Sequence, residues 1–92
     1  MSQVRDSVEI VNNRGLHARA SAKFVNAVTK LGDGVQVKVE KDGHDAAGAS
    51  ILGLMMLGAA KGDSIEIIVS GEGADAALAT LTTLVRGRFG ED

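Results

Sequence analysis

The strongest constraint on the fold comes from a run of alternating residues followed by a tight turn. Val35, Val37 and Val39 alternate with polar residues, which is the pattern of a strand buried on one face. The Lys41-Asp42-Gly43 segment that follows has the residue types of a two-residue hairpin turn. The sequence therefore predicts a hairpin whose second strand is short and lies around residues 44–47.

Segments on both sides of this hairpin extend the alternation of strands and helices. Apolar periodicity predicts further strands at 4–10 and 65–69 and helices at 18–31, 51–57 and 77–88. Gly32 is the expected C-cap of the first helix, and Ser50 is the expected N-cap of the second. The order βαββαβα predicts an α+β open-faced sandwich, in which one mainly antiparallel four-stranded sheet carries three helices on one face. A ferredoxin-like fold has a related order and is the structural alternative.

Composition limits the classes of function. The 92 residues predict a single domain spanning positions 1–92, and a net charge of −2 argues against a nucleic-acid partner. The absence of cysteine and the presence of only two histidines argue against a metal site. No apolar run approaches the roughly 18 residues of a membrane span, and the first residues lack a signal-peptide core. We therefore expect a cytoplasmic protein without a membrane, metal or cofactor partner.

His17 lies between a glycine and the predicted start of the first helix. The free N–H groups and positive dipole of a helix start bind phosphate and disfavour a protonated imidazole. A neutral imidazole has a lone pair that can attack phosphorus, and Arg19 could bind the phosphoryl oxygens. Gly15 would let its neighbours approach such a site closely. A histidine beside a helix start is also common on ordinary surfaces, so its position allows a phosphoryl site without requiring one.

Two segments resemble the HPr family, the histidine-containing phosphocarriers of the bacterial phosphotransferase system. Gly15-Leu16-His17-Ala18-Arg19, followed by Ala22 and Phe24-Val25, resembles the active-site signature of that family. Residues 49–59 resemble its regulatory serine segment, and the βαββαβα order matches along nearly the whole chain. No G-x-x-x-x-G-K-[ST] loop is present, so a phosphoryl group would come from another protein rather than from a nucleotide bound here.

The resemblance implies a role for several residues. His17 would accept a phosphoryl group on Nδ1 from phosphorylated enzyme I and pass it to a histidine of an enzyme IIA protein or domain, with Arg19 holding the group. Such a chain is a carrier with a covalent phosphohistidine, not an enzyme, and it needs no cofactor. Ser50 matches the serine that HPr kinase/phosphorylase modifies. The residues that match the partner-binding surface are Ala18, Ile51, Leu52 and Met55.

Two positions depart from the family pattern. Ala20 stands where the family usually has proline, which hints at a regulatory or nitrogen-type subgroup with its own partners. Ala49 stands where a basic residue often precedes the serine, which weakens the expectation of a serine kinase.

Alternatives remain open for the second segment and for the whole chain. Ser50 could serve only as a helix cap, and the apolar residues after it could be core, as we expect for Leu54 and Leu57. The alternative function is an HPr-like regulatory module that binds partners through the Ser50 to Met56 surface without transferring phosphate. His44 carries no matching motif and is expected to be solvated.

Overall fold

A computed structural model describes residues 3–91 and contains the predicted sequence of elements. These are β1 (Gln3–Glu9), α1 (Ala18–Thr29), β2 (Val35–Lys41), β3 (His44–Ala47), α2 (Ile51–Met56), β4 (Ser64–Gly71) and α3 (Ala74–Arg86). The strands form one antiparallel sheet in the order β1-β4-β2-β3, which confirms the predicted α+β class. A ferredoxin-like fold would place β1 inside the sheet, whereas here β1 lies at an edge.

The predicted hairpin joins β2 to β3. Lys41 pairs with His44, and the two residues between them, Asp42 and Gly43, have φ angles of 52° and 83°. Positive φ at both positions is the requirement of a type I′ turn, which matches the right-handed twist of the flanking strands. The other edge of β2 pairs with β4, so the strand that carries the alternating valines is a central strand of the sheet.

The hydrophobic core lies between the helices and one face of the sheet. It is built from Val8 of β1, Ile10 just after that strand, Val39 of β2, alternate residues of β4 and the inner faces of the helices. The largest fully buried apolar side chains are Phe24, Phe89, Ile10, Leu54, Ile65, Ile67, Leu81, Val39, Val69 and Val85. Burial of each such side chain stabilises the fold by roughly 1.5–3 kcal/mol relative to leaving it exposed. Within residues 3–91, no helix is long and apolar enough to cross a membrane.

Several helix ends differ from the prediction, most of all in α1 and α3. α1 ends at Thr29 with Lys30 as its C-cap, because the Leu31 N–H already bonds to the carbonyl of Val28 and tightens the last turn. Gly32, the expected C-cap, lies beyond this turn with a φ of +92°. α3 begins earlier than expected, at Ala74, and ends at Arg86.

After α3 the chain makes a short 3-10 turn at Arg88–Gly90 that the sequence pattern did not predict. Arg88 and Phe89 have φ angles of 61° and 54°, which is uncommon for residues other than glycine. Phe89 is only 1% exposed, so its burial in the core compensates for this backbone conformation. We call residues 88–91 the C-terminal turn. It packs against α1 and brings Glu91 to His17.

Candidate functional site

His17 is the N-cap of α1, as predicted, with extended backbone angles of φ −74° and ψ 179°. Its carbonyl accepts the first helical hydrogen bond, from the N–H of Ser21 at 2.9 Å. Its imidazole makes no capping hydrogen bond to the helix within the part of the chain that the structure describes. The ring is therefore free to interact with groups outside α1 while its backbone is fixed at the helix start.

The loop before His17 is held by a close backbone contact at Gly15. A Cβ atom on Gly15 would lie 2.3 Å from the carbonyl oxygen of Ala59, and Gly15 also has a φ of +65°. Next to this contact, the N–H of Leu16 donates to the same Ala59 oxygen at 2.9 Å. The close approach expected at Gly15 is made by the protein backbone at residues 59–60.

The imidazole of His17 contacts a carboxylate from the far end of the chain. Nε2 of His17 lies 2.6 Å from Oε2 of Glu91, although the two residues are 74 positions apart. The other oxygen of Glu91 accepts a hydrogen bond from Nδ2 of Asn12 at 3.1 Å, and the same Nδ2 donates to the carbonyl of Gly15 at 2.8 Å. The His17 and Glu91 side chains are 19% and 16% exposed, so the contact is mostly shielded from water.

Glu91 is ionised in this arrangement. Burial raises the pKa of its carboxyl, but the hydrogen bonds from His17 and Asn12, together with the positive charge of Lys23, outweigh burial and bring the pKa below its usual range. Lys23 also donates from Nζ to the carbonyl of Phe89 at 2.7 Å, which ties the C-terminal turn to α1. No local pattern predicts the roles of Glu91 and Asn12, because these roles depend on contacts between distant segments.

Arg19 is exposed on the first turn of α1 and lines a shallow depression beside Glu91. The other residues that line this depression are Asn13, Arg14, Lys23, Gly90 and Glu91. Three cationic side chains at one end of α1 are suited to an anion such as a phosphoryl group. Sequence reasoning identified Arg19 only. Lys23 could have been found as well, because it lies four residues later on the same helical face.

Ser50 is the N-cap of α2, as predicted, and its Oγ accepts a hydrogen bond from the N–H of Gly53 at 2.9 Å. The short helix divides its apolar residues between core and surface. Leu54 is fully buried, as expected, and Leu57 is half-buried. The exposed large apolar side chains of the described residues are Ile51 (41%), Leu52 (67%), Met55 (40%) and Met56 (77%). We call these four residues the α2 surface. Met56, its most exposed member, was not among the predicted partner-binding residues but belonged to the surface named for the alternative function.

The His17 end of α1 and the α2 surface are neighbours. α1 packs against α2, and the hydrogen bond from Leu16 to Ala59 connects the start of α1 to the loop that follows α2. Ala18, the first residue of α1, is exposed beside His17. The tertiary structure thus brings the predicted histidine, arginine and apolar residues to one region of the molecule.

Comparison with known proteins identifies the origin of this arrangement. Residues 4–87 match the family model described as the PTS HPr component phosphorylation site. The chain belongs to the HPr family. The match includes His17 and Ser50 and ends before Glu91.

Curated relatives named HPr and relatives named NPr both align with nearly the full chain. The phosphocarrier protein HPr of Neisseria meningitidis is 44% identical over 88 residues, which cover 96% of this chain and 97% of that protein. The phosphocarrier protein NPr of Escherichia coli is 36% identical over 90 residues, which cover 97% of this chain and 98% of that protein. Both similarities agree with the family resemblance in the sequence, including its nitrogen-type subgroup.

Solved HPr structures confirm the fold. The crystal structure of HPr-C-His from Thermoanaerobacter tengcongensis superposes with a TM-score of 0.87 at 36% identity, covering 100% of this chain and 99% of that one. HPr from Bacillus anthracis superposes with a TM-score of 0.84 at 32% identity, covering 92% and 99%. The open-faced sandwich predicted from the βαββαβα order is therefore the HPr fold.

Proposed function

We propose that this phosphocarrier of the phosphotransferase system accepts its phosphoryl group on Nδ1 of His17. The donor would be phosphorylated enzyme I, and the acceptor would be a histidine of an enzyme IIA protein or domain. The observation that supports this assignment best is the position of His17 at the start of α1, beside a depression lined by Arg14, Arg19 and Lys23. The chain turns over no free substrate in this proposal, because the partner proteins complete each transfer.

The chemistry of the site fits a phosphoryl acceptor. The first N–H groups of α1 have no partner within the helix, and the dipole of the helix adds positive charge at the same end. These groups attract the negative oxygens of a phosphoryl group bound to His17. The planar guanidinium of Arg19 can bind two of those oxygens at once, which a lysine cannot do.

The α2 surface, together with Ala18, is the proposed docking site for both partners. The exposed large apolar side chains of the described residues all lie within this one short helix, with Leu52 and Met56 67% and 77% exposed, and a cluster of this kind is typical of an interaction site. Methionine adapts its shape to different surfaces, as a carrier with several partners requires. A carrier that serves enzyme I and enzyme IIA in this way would act in the cytoplasm.

Ser50 is the proposed site of regulatory phosphorylation, with HPr kinase/phosphorylase as the modifying enzyme where that enzyme is present. A phosphate at the start of α2 would place a double negative charge beside the α2 surface and oppose apolar docking. We expect Ser50→Asp to weaken binding of enzyme I in a calorimetric titration. Ala76→Asp is the matched control, since it adds the same charge to an exposed position near the start of α3. Equal affinities of the two variants would contradict a docking surface beside Ser50.

The acceptor assignment is tested by incubating the protein with enzyme I, magnesium and phosphoenolpyruvate and following the intact mass. We expect one added phosphoryl group that is lost in mild acid, and none in His17→Ala. His44→Ala is the control, because His44 is the only other histidine and is exposed in β3. Phosphorylation of His17→Ala at the normal rate would overturn the assignment. Arg19→Ala should slow transfer, whereas Arg86→Ala, near the end of α3, should leave the rate unchanged.

A further inference from the structure

We infer that Glu91 is a positioning residue for phosphoryl transfer, whose carboxylate holds the proton on Nε2 of His17 and stabilises the positive charge that the ring gains on phosphorylation. This inference rests on the proposed role of His17 as acceptor. It adds a residue that lies outside the segment matched by the family model. The observation that carries it is the 2.6 Å contact between Nε2 of His17 and Oε2 of Glu91.

The contact determines which ring nitrogen can react. A carboxylate only accepts hydrogen bonds, so a neutral His17 must carry its proton on Nε2 to make this contact. Nδ1 then has the lone pair. Glu91 therefore selects the tautomer in which Nδ1 is the nucleophile, as a buried aspartate does for the histidine of a serine protease triad.

The charge of Glu91 matters in the transfer step itself. The lone pair of Nδ1 attacks phosphorus, a new N–P bond forms, and the bond between phosphorus and the donor protein breaks with its electron pair going to the donor. No proton leaves Nε2, so the phosphorylated ring carries a positive charge. The Glu91 carboxylate lies against the edge of the ring that bears this charge, and the low exposure of both side chains limits screening by water.

Glu91 is held in place before the reaction. Its second oxygen accepts from Asn12, which is fully buried and is itself bonded to the carbonyl of Gly15. The backbone of the C-terminal turn is fixed by the buried ring of Phe89 and by Lys23. A carboxylate fixed in this way needs little reorganisation when charge develops on the ring, which is the condition for electrostatic stabilisation of a transition state.

The test compares Glu91→Gln with Glu72→Gln in single-turnover transfer from phosphorylated enzyme I. Glu91→Gln keeps the size of the side chain and removes its charge. Glu72→Gln makes the same change in charge at an exposed position directly after the last residue of β4. An opposite charge at this distance changes the balance between charged and neutral forms by one to three powers of ten, so we expect the transfer rate constant of Glu91→Gln to fall at least about tenfold. Glu91→Asp, which restores the charge, should recover part of the rate.

A second readout separates chemistry from folding and docking. Nitrogen-15 NMR of the unphosphorylated protein should show the proton of neutral His17 on Nε2 in wild type and a larger Nδ1–H fraction in Glu91→Gln. A transfer rate constant within about twofold of wild type, or a change confined to the donor concentration at half-maximal rate, would overturn the inference. Failure of the acceptor assignment is recognised separately, because His17→Ala would then still be phosphorylated.

Discussion

Replacement of Gly15 by alanine tests the claim that a backbone contact fixes the position of His17. Two costs are expected. Alanine at a φ of +65° is strained, and its Cβ would lie 2.3 Å from the Ala59 oxygen and 2.9 Å from the Ala60 Cα. Gly58 separates the two costs, because it has a nearly identical φ of +66°, whereas a Cβ built on it would have no atom within 4 Å among residues 3–91 apart from its chain neighbours.

The magnitudes follow from these two environments. Gly58→Ala should lose about 1–2 kcal/mol of unfolding free energy, the cost of a left-handed conformation. Gly15→Ala should lose that amount, a further 1–3 kcal/mol or so for overpacking, and about 1 kcal/mol if the 2.9 Å bond from Leu16 to Ala59 is weakened. The expected total of about 3–6 kcal/mol is a large part of the roughly 5–15 kcal/mol that stabilises a typical domain.

Urea denaturation followed by far-ultraviolet circular dichroism measures both variants against wild type. A difference of about 2 kcal/mol between the two variants, the lower end of the expected range, corresponds to roughly 8–16 °C in melting temperature for a domain of this size. Gly15→Ala should also slow phosphoryl transfer, because displacement of the loop moves His17. Equal destabilisation of the two variants would refute the reasoning, since strain at positive φ would then explain the whole effect.

Three further predictions concern the cap, the carboxylate and the α2 surface. Ser50→Ala should lose about 1 kcal/mol of unfolding free energy, because the N–H of Gly53 loses its acceptor, whereas Ser50→Asp should keep the cap. Urea denaturation measures both variants, and an equal loss of stability in the two would contradict the capping role. Folding lowers the pKa of Glu91, so its carboxylate stabilises the protein above its unfolded pKa of about 4.3, and this contribution is lost as the pH falls through the lower folded pKa. The free energy of unfolding should therefore decline less over this acidic range in Glu91→Gln than in wild type. Parallel pH profiles of the two proteins would contradict the ionised contact. Leu54→Ala should lower the free energy of unfolding by about 2–5 kcal/mol, because Leu54 is fully buried. Leu52→Ala should change it by no more than about 0.5 kcal/mol and should instead weaken binding of enzyme I. A large loss of stability in Leu52→Ala would assign that side chain to the core.

Local features of this protein could be predicted from its sequence because they depend on neighbours along the chain. The valine alternation, the Asp42-Gly43 turn and the Ser50 cap each follow from backbone and side-chain preferences over a few residues. The position of His17 at the start of α1 could likewise be predicted from the residues next to it. The least accurate predictions were helix ends, where the last hydrogen bonds compete with the packing of the next segment.

The α2 helix shows where prediction from local sequence ends and dependence on tertiary packing begins. Its residues are apolar on nearly every side, so periodicity alone could not separate the core residue Leu54 from the exposed Leu52. The separation depends on which side of the helix meets α1 and the sheet, and that is a property of the assembled fold.

The strands and helices, their order, and His17 and Arg19 as candidate site residues could all be predicted from the sequence. Only the tertiary structure placed the backbone of Ala59 against Gly15 and the carboxylate of Glu91 against His17. Contacts across 74 positions arise when the core forms and Phe89 is buried, and no local pattern encodes them. For this reason His17, the proposed nucleophile, could be predicted from its own neighbours, whereas Glu91, the carboxylate proposed to orient it, became visible only in the folded chain.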